Sequence, residues 1–164
     1  MARYPSPRSA LLLVLHAAQD EVGCVNDDVI REVAEIFGLN AADVAGVATF
    51  YTMFKSTHPG RFLISVCTQS ACAFAGGEET AERLRELVGA EHTTTEDGLM
   101  SWEVVECLAY CSNAPAAQVN YRDVPHLTAE RAETLCSLLR SGRELDDVLA
   151  EMRAGATLPS FDDA

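Results

Sequence analysis

Basic residues, and lysine above all, are scarce in this sequence. The 164 residues include 12 Lys and Arg against 25 Asp and Glu, so the net charge is −13, and Lys55 is the single lysine. A surface this negative repels phosphate backbones, and we therefore expect no nucleic-acid partner.

Long hydrophobic runs and glycine-rich nucleotide loops are also missing. No stretch approaches the roughly 20 apolar residues that a membrane span needs, so we expect no direct membrane insertion. The apolar run 10–15 continues as an amphipathic helical pattern, which favours a cytoplasmic protein with reduced thiols over a secreted one. There is no G-x-G-x-x-G motif and no recognisable acid–base pair, so we expect no catalytic site in this chain itself.

The hydrophobic pattern divides the chain into three parts, 1–58, 59–142 and 143–164. The first has helical periodicity throughout, and Asn26 and Asn40 are suited to cap its second and third helices. Two of its helices present apolar faces, predicted from Leu11, Leu12, Leu15, Ala18 and Val22 and from Val29, Ile30, Val33, Ile36 and Phe37. We expect an N-terminal helical bundle.

After the turn at 58–60 the pattern changes to short β-prone runs that alternate with helices. The predicted order is β-α-β-β-α, with strands at 61–66 and 101–106, a hairpin at 116–124, and helices at 78–88 and after 127. A right-handed crossover makes the first two strands parallel, as in a small thioredoxin-like domain. Segment 143–164 is expected to be an acidic helix with a tail. The fold class is therefore mixed α and β (α+β/α/β).

Four of the six cysteines follow the two predicted parallel strands. Cys67 and Cys72 form a C-x4-C pair, and Cys107 and Cys111 form a C-x3-C pair. Because parallel strands end at the same edge of a sheet, the two loops are expected to be neighbours, at the edge where open α/β sheets place ligands. The spacing predicts that the four thiols converge.

Four converging thiols favour a soft metal centre. The residues alone are compatible with several kinds of site. A 2Fe-2S cluster suits two widely spaced pairs, because each iron takes its own pair. Structural zinc more often uses pairs with two residues between the ligands. Disulfides or redox-active thiols are a further alternative, although no C-x-x-C motif occurs. Cys136 is expected in the core and Cys24 has no assigned role.

Four segments also carry a family resemblance. They are RYPSPRSA at 3–10 with the Leu-rich run after it, GVATFYTMF at 46–54, VCTQSAC at 66–72 and ECLAYCSNAP at 106–115. Together they resemble the 24 kDa subunit family of NADH:quinone oxidoreductase, which includes small subunits of NAD-dependent formate dehydrogenases and bidirectional hydrogenases. One departure is Ala109, where the family often has Gly.

The resemblance implies an N-terminal helical part, a thioredoxin-like domain and one 2Fe-2S cluster on Cys67, Cys72, Cys107 and Cys111. It implies an electron-transfer subunit of an NADH-dependent oxidoreductase, with FMN and NAD only on a partner flavoprotein. The family that the chain resembles includes subunits of complexes that are peripheral to the inner membrane, so such a complex is one expected location. The alternatives are the equivalent subunit of a formate dehydrogenase or hydrogenase and, in a different class, a zinc-stabilised interaction module.

Two uncharged loops and one aromatic run are candidates for a docking surface. Segments 67–77 and 107–121 contain no charged residue, which suits a surface that a partner covers. The run 50–54 is expected either to pack in the core or to contact a partner. Trp102, on a predicted strand, is expected in the core.

Overall fold

The computed structural model describes Tyr4 and residues 6–156, and the chain divides between Pro59 and Gly60 into two units. This boundary is one residue beyond the division predicted from the sequence. The N-terminal unit extends to Pro59 and the C-terminal unit begins at Gly60. In the described part of the chain, no helix is both long and apolar enough to cross a lipid bilayer.

The N-terminal unit is helical. A 3-10 turn (Pro7–Ala10) precedes helices α1 (Leu11–Val22), α2 (Asp27–Phe37) and α3 (Ala41–Phe50). The Asn26 side chain accepts hydrogen bonds from the backbone N–H groups of Asp28 and Val29, and Asn40 accepts one from Ala42. These side chains satisfy amide groups that have no partner within the helix, as the sequence predicts.

The core of the N-terminal unit is formed by apolar side chains from all three helices and the segment after them, including Leu11, Leu15, Val33, Phe37, Val44 and Phe54. The prediction that Leu12, Val22 and Ile36 belong to buried faces is wrong, because all three are exposed, Ile36 to 56%. They lie at the margins of their apolar stripes, where burial depends on the neighbouring helix.

One of the buried positions of α1 is occupied by a polar residue. Gln19 is buried, its Nε2 donates to the Met53 carbonyl at 3.0 Å, and its Oε1 accepts from the Lys55 N–H at 2.7 Å. Burial of an amide side chain is tolerated when its hydrogen bonds are made. Gln19 therefore ties the segment after α3 back to α1.

The C-terminal unit contains a four-stranded sheet of β1 (Phe62–Cys67), β2 (Met100–Val105), β3 (Ala117–Val119) and β4 (Arg122–Val124). The strand order is β2-β1-β3-β4, with β1 and β2 parallel and the other neighbours antiparallel. Cys67 is the last residue of β1 and is paired in register with Val105, the last residue of β2. The predicted parallel pair is confirmed.

The helices of this unit are α4 (Ser70–Phe74), α5 (Gly77–Val88), α6 (Ala129–Arg140) and α7 (Leu145–Ala154). Helix α4 is a single short turn that the sequence prediction does not contain. Trp102 is fully buried in the core and its indole N–H donates to the Gly89 carbonyl at 2.8 Å. Cys136 is also fully buried there, so both predicted core positions are confirmed.

The predicted C-terminal segment, 143–164, is in part integral to this unit. Helix α7 contributes Val148, Leu149 and Met152 to the same core as the sheet. Arg131 on α6 also donates to the carbonyl of Met152. Residues 157–164 of the segment lie outside the described residues.

Candidate metal centre

The first cysteine pair is buried where β1 meets α4. Cys67 ends β1, and helix α4 turns the chain back so that Cys72 lies beside it, with each residue only 2% exposed. Ala116 joins the two, because its carbonyl accepts from the Cys67 N–H at 3.0 Å and its N–H donates to Cys72 Sγ at 3.4 Å. Backbone N–H groups that reach sulfur stabilise thiolate character.

The second cysteine pair is exposed. Cys107 lies two residues beyond β2, and Cys111 begins a 3-10 turn (Cys111–Asn113). Between them Ala109 has a left-handed backbone, with φ 56°, and its N–H donates to Cys107 Sγ at 3.4 Å. This conformation is one that glycine adopts without steric cost, whereas an alanine in it carries backbone strain.

The four thiols interact as two pairs, and the pairs influence each other. Burial raises the pKa of Cys72, which the thiols of Cys67 and Cys111 also raise, against a hydrogen bond from the Ala116 N–H. A hydrogen bond with Cys107 is the main cause of the raised pKa of Cys111, and Cys67 contributes as well. Crowded thiols that resist ionisation would be stabilised as thiolates by a cationic metal centre.

The arrangement of the four thiols as two pairs bears on which kind of metal centre they could hold. No three His, Cys, Asp or Glu side chains of the described residues are grouped as ligands of one metal ion. A 2Fe-2S cluster needs one cysteine pair for each of its two irons. The pairing of Cys67 with Cys72 and of Cys107 with Cys111 suits that requirement.

The start of helix α5 lies close to the backbones of the first cysteine pair, and a glycine makes this contact possible. A Cβ atom on Gly77 would lie 2.8 Å from the Cys67 carbonyl oxygen and 2.9 Å from the Cys72 carbonyl oxygen. Only glycine allows this close approach of the start of α5 to the two cysteine backbones. The sequence suggests only a loop at the Gly76–Gly77 dipeptide, and nothing local shows that both carbonyls come to it.

Four other candidate residues, Cys24, Cys136, His92 and His126, have different surroundings. All six cysteines are free thiols, and burial raises the pKa of Cys136 to about 11. Cys24 is buried within the N-terminal unit. His92 is exposed, and its Nδ1 lies 3.7 Å from Glu103 Oε2. His126 contacts the loop after Cys111 without reaching a cysteine in any described hydrogen bond.

A sheet whose two parallel strands each lead into a cysteine pair suits an iron–sulfur protein of the ferredoxin class. Residues 1–140 match the family model of the thioredoxin-like [2Fe-2S] ferredoxins. The chain belongs to this family, whose cofactor is a 2Fe-2S cluster. The free cysteine pairs, with backbone N–H groups directed at two of their sulfurs, fit that cofactor.

Several curated relatives, all subunits of NADH-quinone oxidoreductases, are similar over most of the chain. It is 40% identical to the relative from Mycobacterium tuberculosis over 142 residues, which are 86% of this chain and 56% of that protein. It is 36% identical to NADH-quinone oxidoreductase subunit 2 of Thermus thermophilus over 153 residues, 90% of this chain and 83% of that protein. It is 37% identical to a relative from Rhizobium meliloti over 156 residues, 94% of this chain and 91% of that protein. The chain thus spans little more than half the length of the Mycobacterium relative.

Among solved structures, the chain resembles an NAD+-reducing [NiFe]-hydrogenase in its H2-reduced state. The TM-score is 0.76 at 24% sequence identity, over 92% of this chain and 25% of that one. At this identity the likeness supports the fold.

Proposed function

We propose that this chain is an electron-transfer subunit of an NADH-dependent oxidoreductase complex, of the NADH:quinone oxidoreductase kind. In this proposal Cys67, Cys72, Cys107 and Cys111 hold one 2Fe-2S cluster, and FMN and NAD are bound by a partner flavoprotein. The observation that carries it is that one cysteine pair follows β1 and the other follows the parallel strand β2, while the pKa of Cys72 and of Cys111 is each raised in part by a thiol of the other pair. The names of the relatives support the parent complex.

A 2Fe-2S cluster, when bound, would supply one-electron chemistry. The protein's own contribution is placement and tuning. Cys67 and Cys72 offer thiolates inside the fold, with the Ala116 N–H directed at Cys72. The Ala109 N–H plays the same part at Cys107. Hydrogen bonds to sulfur withdraw charge from it, and thereby make added negative charge easier to accept.

The exposed second pair gives electrons a short way in or out of the protein. Cys107 and Cys111 are exposed, whereas the first pair is covered. Phe74, the last residue of α4, follows Cys72 by two residues and is 96% exposed, within the uncharged segment 67–77. Large exposed aromatic side chains are typical of interface centres. We therefore place the flavoprotein contact on the loops that bear the cysteines.

The ligand assignment is tested by single replacements with matched controls. Cys→Ser at any of the four positions should lose or strongly perturb the cluster, because a hydroxyl is a poor ligand for soft iron centres. Cys24→Ser and Cys136→Ser are the controls and should keep the full iron content of the parent protein. Iron and acid-labile sulfide are measured on purified protein, with the low-temperature EPR spectrum after dithionite. Iron loss in either control, or a colourless parent protein with one zinc, would overturn the assignment.

The docking assignment is tested separately from the cluster. Arg in place of Ala73 or Phe74 should weaken binding to the flavoprotein and leave iron content unchanged. Ser137→Arg, on the exposed side of α6, is the matched control. Co-purification with the flavoprotein is the measurement, and unchanged binding in both variants would place the contact elsewhere.

The hydrogenase likeness supports a second parent complex for the same role. In that case the flavoprotein that co-purifies belongs to a soluble NAD+-reducing hydrogenase, or to a formate dehydrogenase. Identification of the co-purifying flavoprotein decides between them, and the cluster itself is the same in each.

A further inference from the structure

His126 lies between β4 and α6 and contacts the loop that follows Cys111. Its backbone is left-handed, with φ 49°. Its N–H donates to the Asn113 carbonyl at 2.9 Å, and its imidazole Nδ1 lies 3.0 Å from the Ala114 carbonyl oxygen. One residue therefore engages two successive carbonyls of the second cysteine loop.

The proton on the imidazole is fixed by its partner. A carbonyl oxygen only accepts hydrogen bonds, so Nδ1 must carry a hydrogen and donate it. Both the neutral Nδ1–H form and the doubly protonated ring meet this condition. The next residue, Leu127, donates its N–H to the Pro115 carbonyl at 2.7 Å. Residues 126 and 127 thus supply donors to three carbonyls in a row, and the imidazole serves the middle one.

This donor group is itself anchored to the fold. The His126 carbonyl accepts from the Thr128 N–H and from Arg131 Nη1, both at 2.9 Å, at the start of α6. The Leu127 carbonyl lies 2.7 Å from Thr80 Oγ1, on the buried side of α5. Through these hydrogen bonds, the second cysteine loop is anchored to α5 and α6, the two helices that pack against the sheet.

The connection reaches the cysteine in one further step. The Ala114 N–H donates to the Cys111 carbonyl at 3.3 Å, so a hydrogen bond to Ala114 orders the turn that Cys111 begins. Cys111 is exposed, and no surrounding core fixes it as the core fixes Cys67 and Cys72. Its position depends on such backbone bonds far more than that of the buried pair does.

We propose that His126 is a positioning residue for the second cysteine pair, which it orders through the hydrogen bond from its Nδ1–H to the Ala114 carbonyl. The role rests on the proposed function, in which Cys107 and Cys111 hold one iron. Loss of this bond loosens the exposed side of the centre, so the cluster is released faster and its EPR signal and reduction potential change.

Three substitutions separate the side-chain bond from the backbone conformation. His126→Asn keeps an N–H donor near the position of Nδ1 and tolerates a left-handed backbone. His126→Gly keeps the backbone and removes the donor, whereas His126→Gln places its donor farther from the chain. We expect cluster release to an iron chelator to be about fivefold faster in the Gly and Gln variants, from the loss of one hydrogen bond, and within about twofold of the parent in the Asn variant. The reduction potential and the EPR linewidth should follow the same order.

An independent readout concerns the ring itself. Nitrogen-15 NMR of the parent protein should show His126 protonated at Nδ1 at neutral pH. A ring protonated only at Nε2, or Gly and Gln variants with the parent's release rate and EPR spectrum, would overturn the role of His126. Failure of the proposed function gives a different result, since the parent protein would then contain no 2Fe-2S cluster while the Nδ1 proton remained.

Discussion

Replacement of Gly77 by Ala places one methyl group against the backbones of both buried cysteines. The added Cβ would lie 2.8 Å from the Cys67 oxygen and 2.9 Å from the Cys72 oxygen, and the Cys72 carbonyl carbon is 3.1 Å away. These are backbone atoms in a buried region, so no flexible side chain can move aside. Helix α5 and the first cysteine loop must separate by about half an ångström to restore ordinary contact.

The cost follows from two opposed effects. Overpacking of this kind destabilises proteins by about 1–3 kcal/mol. Ala is favoured over Gly by about 1 kcal/mol within a helix, but Gly77 is the first residue of α5, where that gain is smaller. We expect a net loss of about 1–2 kcal/mol in the free energy of unfolding, or a fall in Tm of about 3–6 °C for a chain of this length. The shifted carbonyls belong to the two buried cysteines, so most of the iron should be lost as well.

Two other glycines provide controls. Gly46 lies inside α3, and a Cβ there meets no atom within 4 Å, so Gly46→Ala should stabilise the protein by about 0.5–1 kcal/mol and leave iron content unchanged. Gly76 has φ 95°, and its Cβ would meet only Glu79 Oε2, at 3.7 Å. Gly76→Ala should therefore cost stability through backbone strain while the iron is retained.

Thermal unfolding and iron content, measured on the same preparations, check the prediction. A Gly77→Ala protein with the parent's Tm and full iron content would show that α5 does not press on the cysteine backbones. Equal iron loss in Gly76→Ala would instead attribute the effect to strain at the start of α5.

Two further predictions concern single residues. Ala109→Gly should raise the free energy of unfolding by about 0.5–1 kcal/mol, because Gly adopts the φ of 56° without steric cost; a lower Tm in the iron-containing protein would contradict this. Burial raises the pKa of Cys136 from 9.0 to about 11, so the stability due to its neutral thiol is fully present below about pH 9 and is lost as the pH rises through about 11, by about 3 kcal/mol at most. Denaturant unfolding between these pH values should show a smaller alkaline decline in Cys136→Ala, and equal declines in the two proteins would refute the assignment.

The sheet edge and its cysteine pairs could be predicted because their signals are local. Each pair follows a short β-prone run, and a crossover helix between the runs dictates parallel strands. The caps Asn26 and Asn40 were predictable for the same reason, since a cap acts on amides two or three residues away.

Contacts between distant segments could not be predicted in this way. The closeness of Gly77 to the cysteine carbonyls and of His126 to Ala114 exists only once helices and loops are packed together. Helix α4 spans five residues, which is too short for a periodic pattern to show. Helix α7 was predicted as an acidic helix, and only its packing into the core was missed, although the helical spacing of Leu145, Val148, Leu149 and Met152 indicates an apolar face.

The single tryptophan gives the two units separate optical signatures. Trp102 is the only Trp of the chain and is buried in the core of the C-terminal unit, where its indole is held by Gly89. The N-terminal unit contributes no indole emission, because its aromatic residues are tyrosine, phenylalanine and histidine. Indole fluorescence therefore reports the unfolding of the sheet alone. Far-ultraviolet circular dichroism also reports the unfolding of the N-terminal helices. A comparison of the two melting curves would show whether the helical unit and the cysteine-bearing unit unfold in one transition or in two.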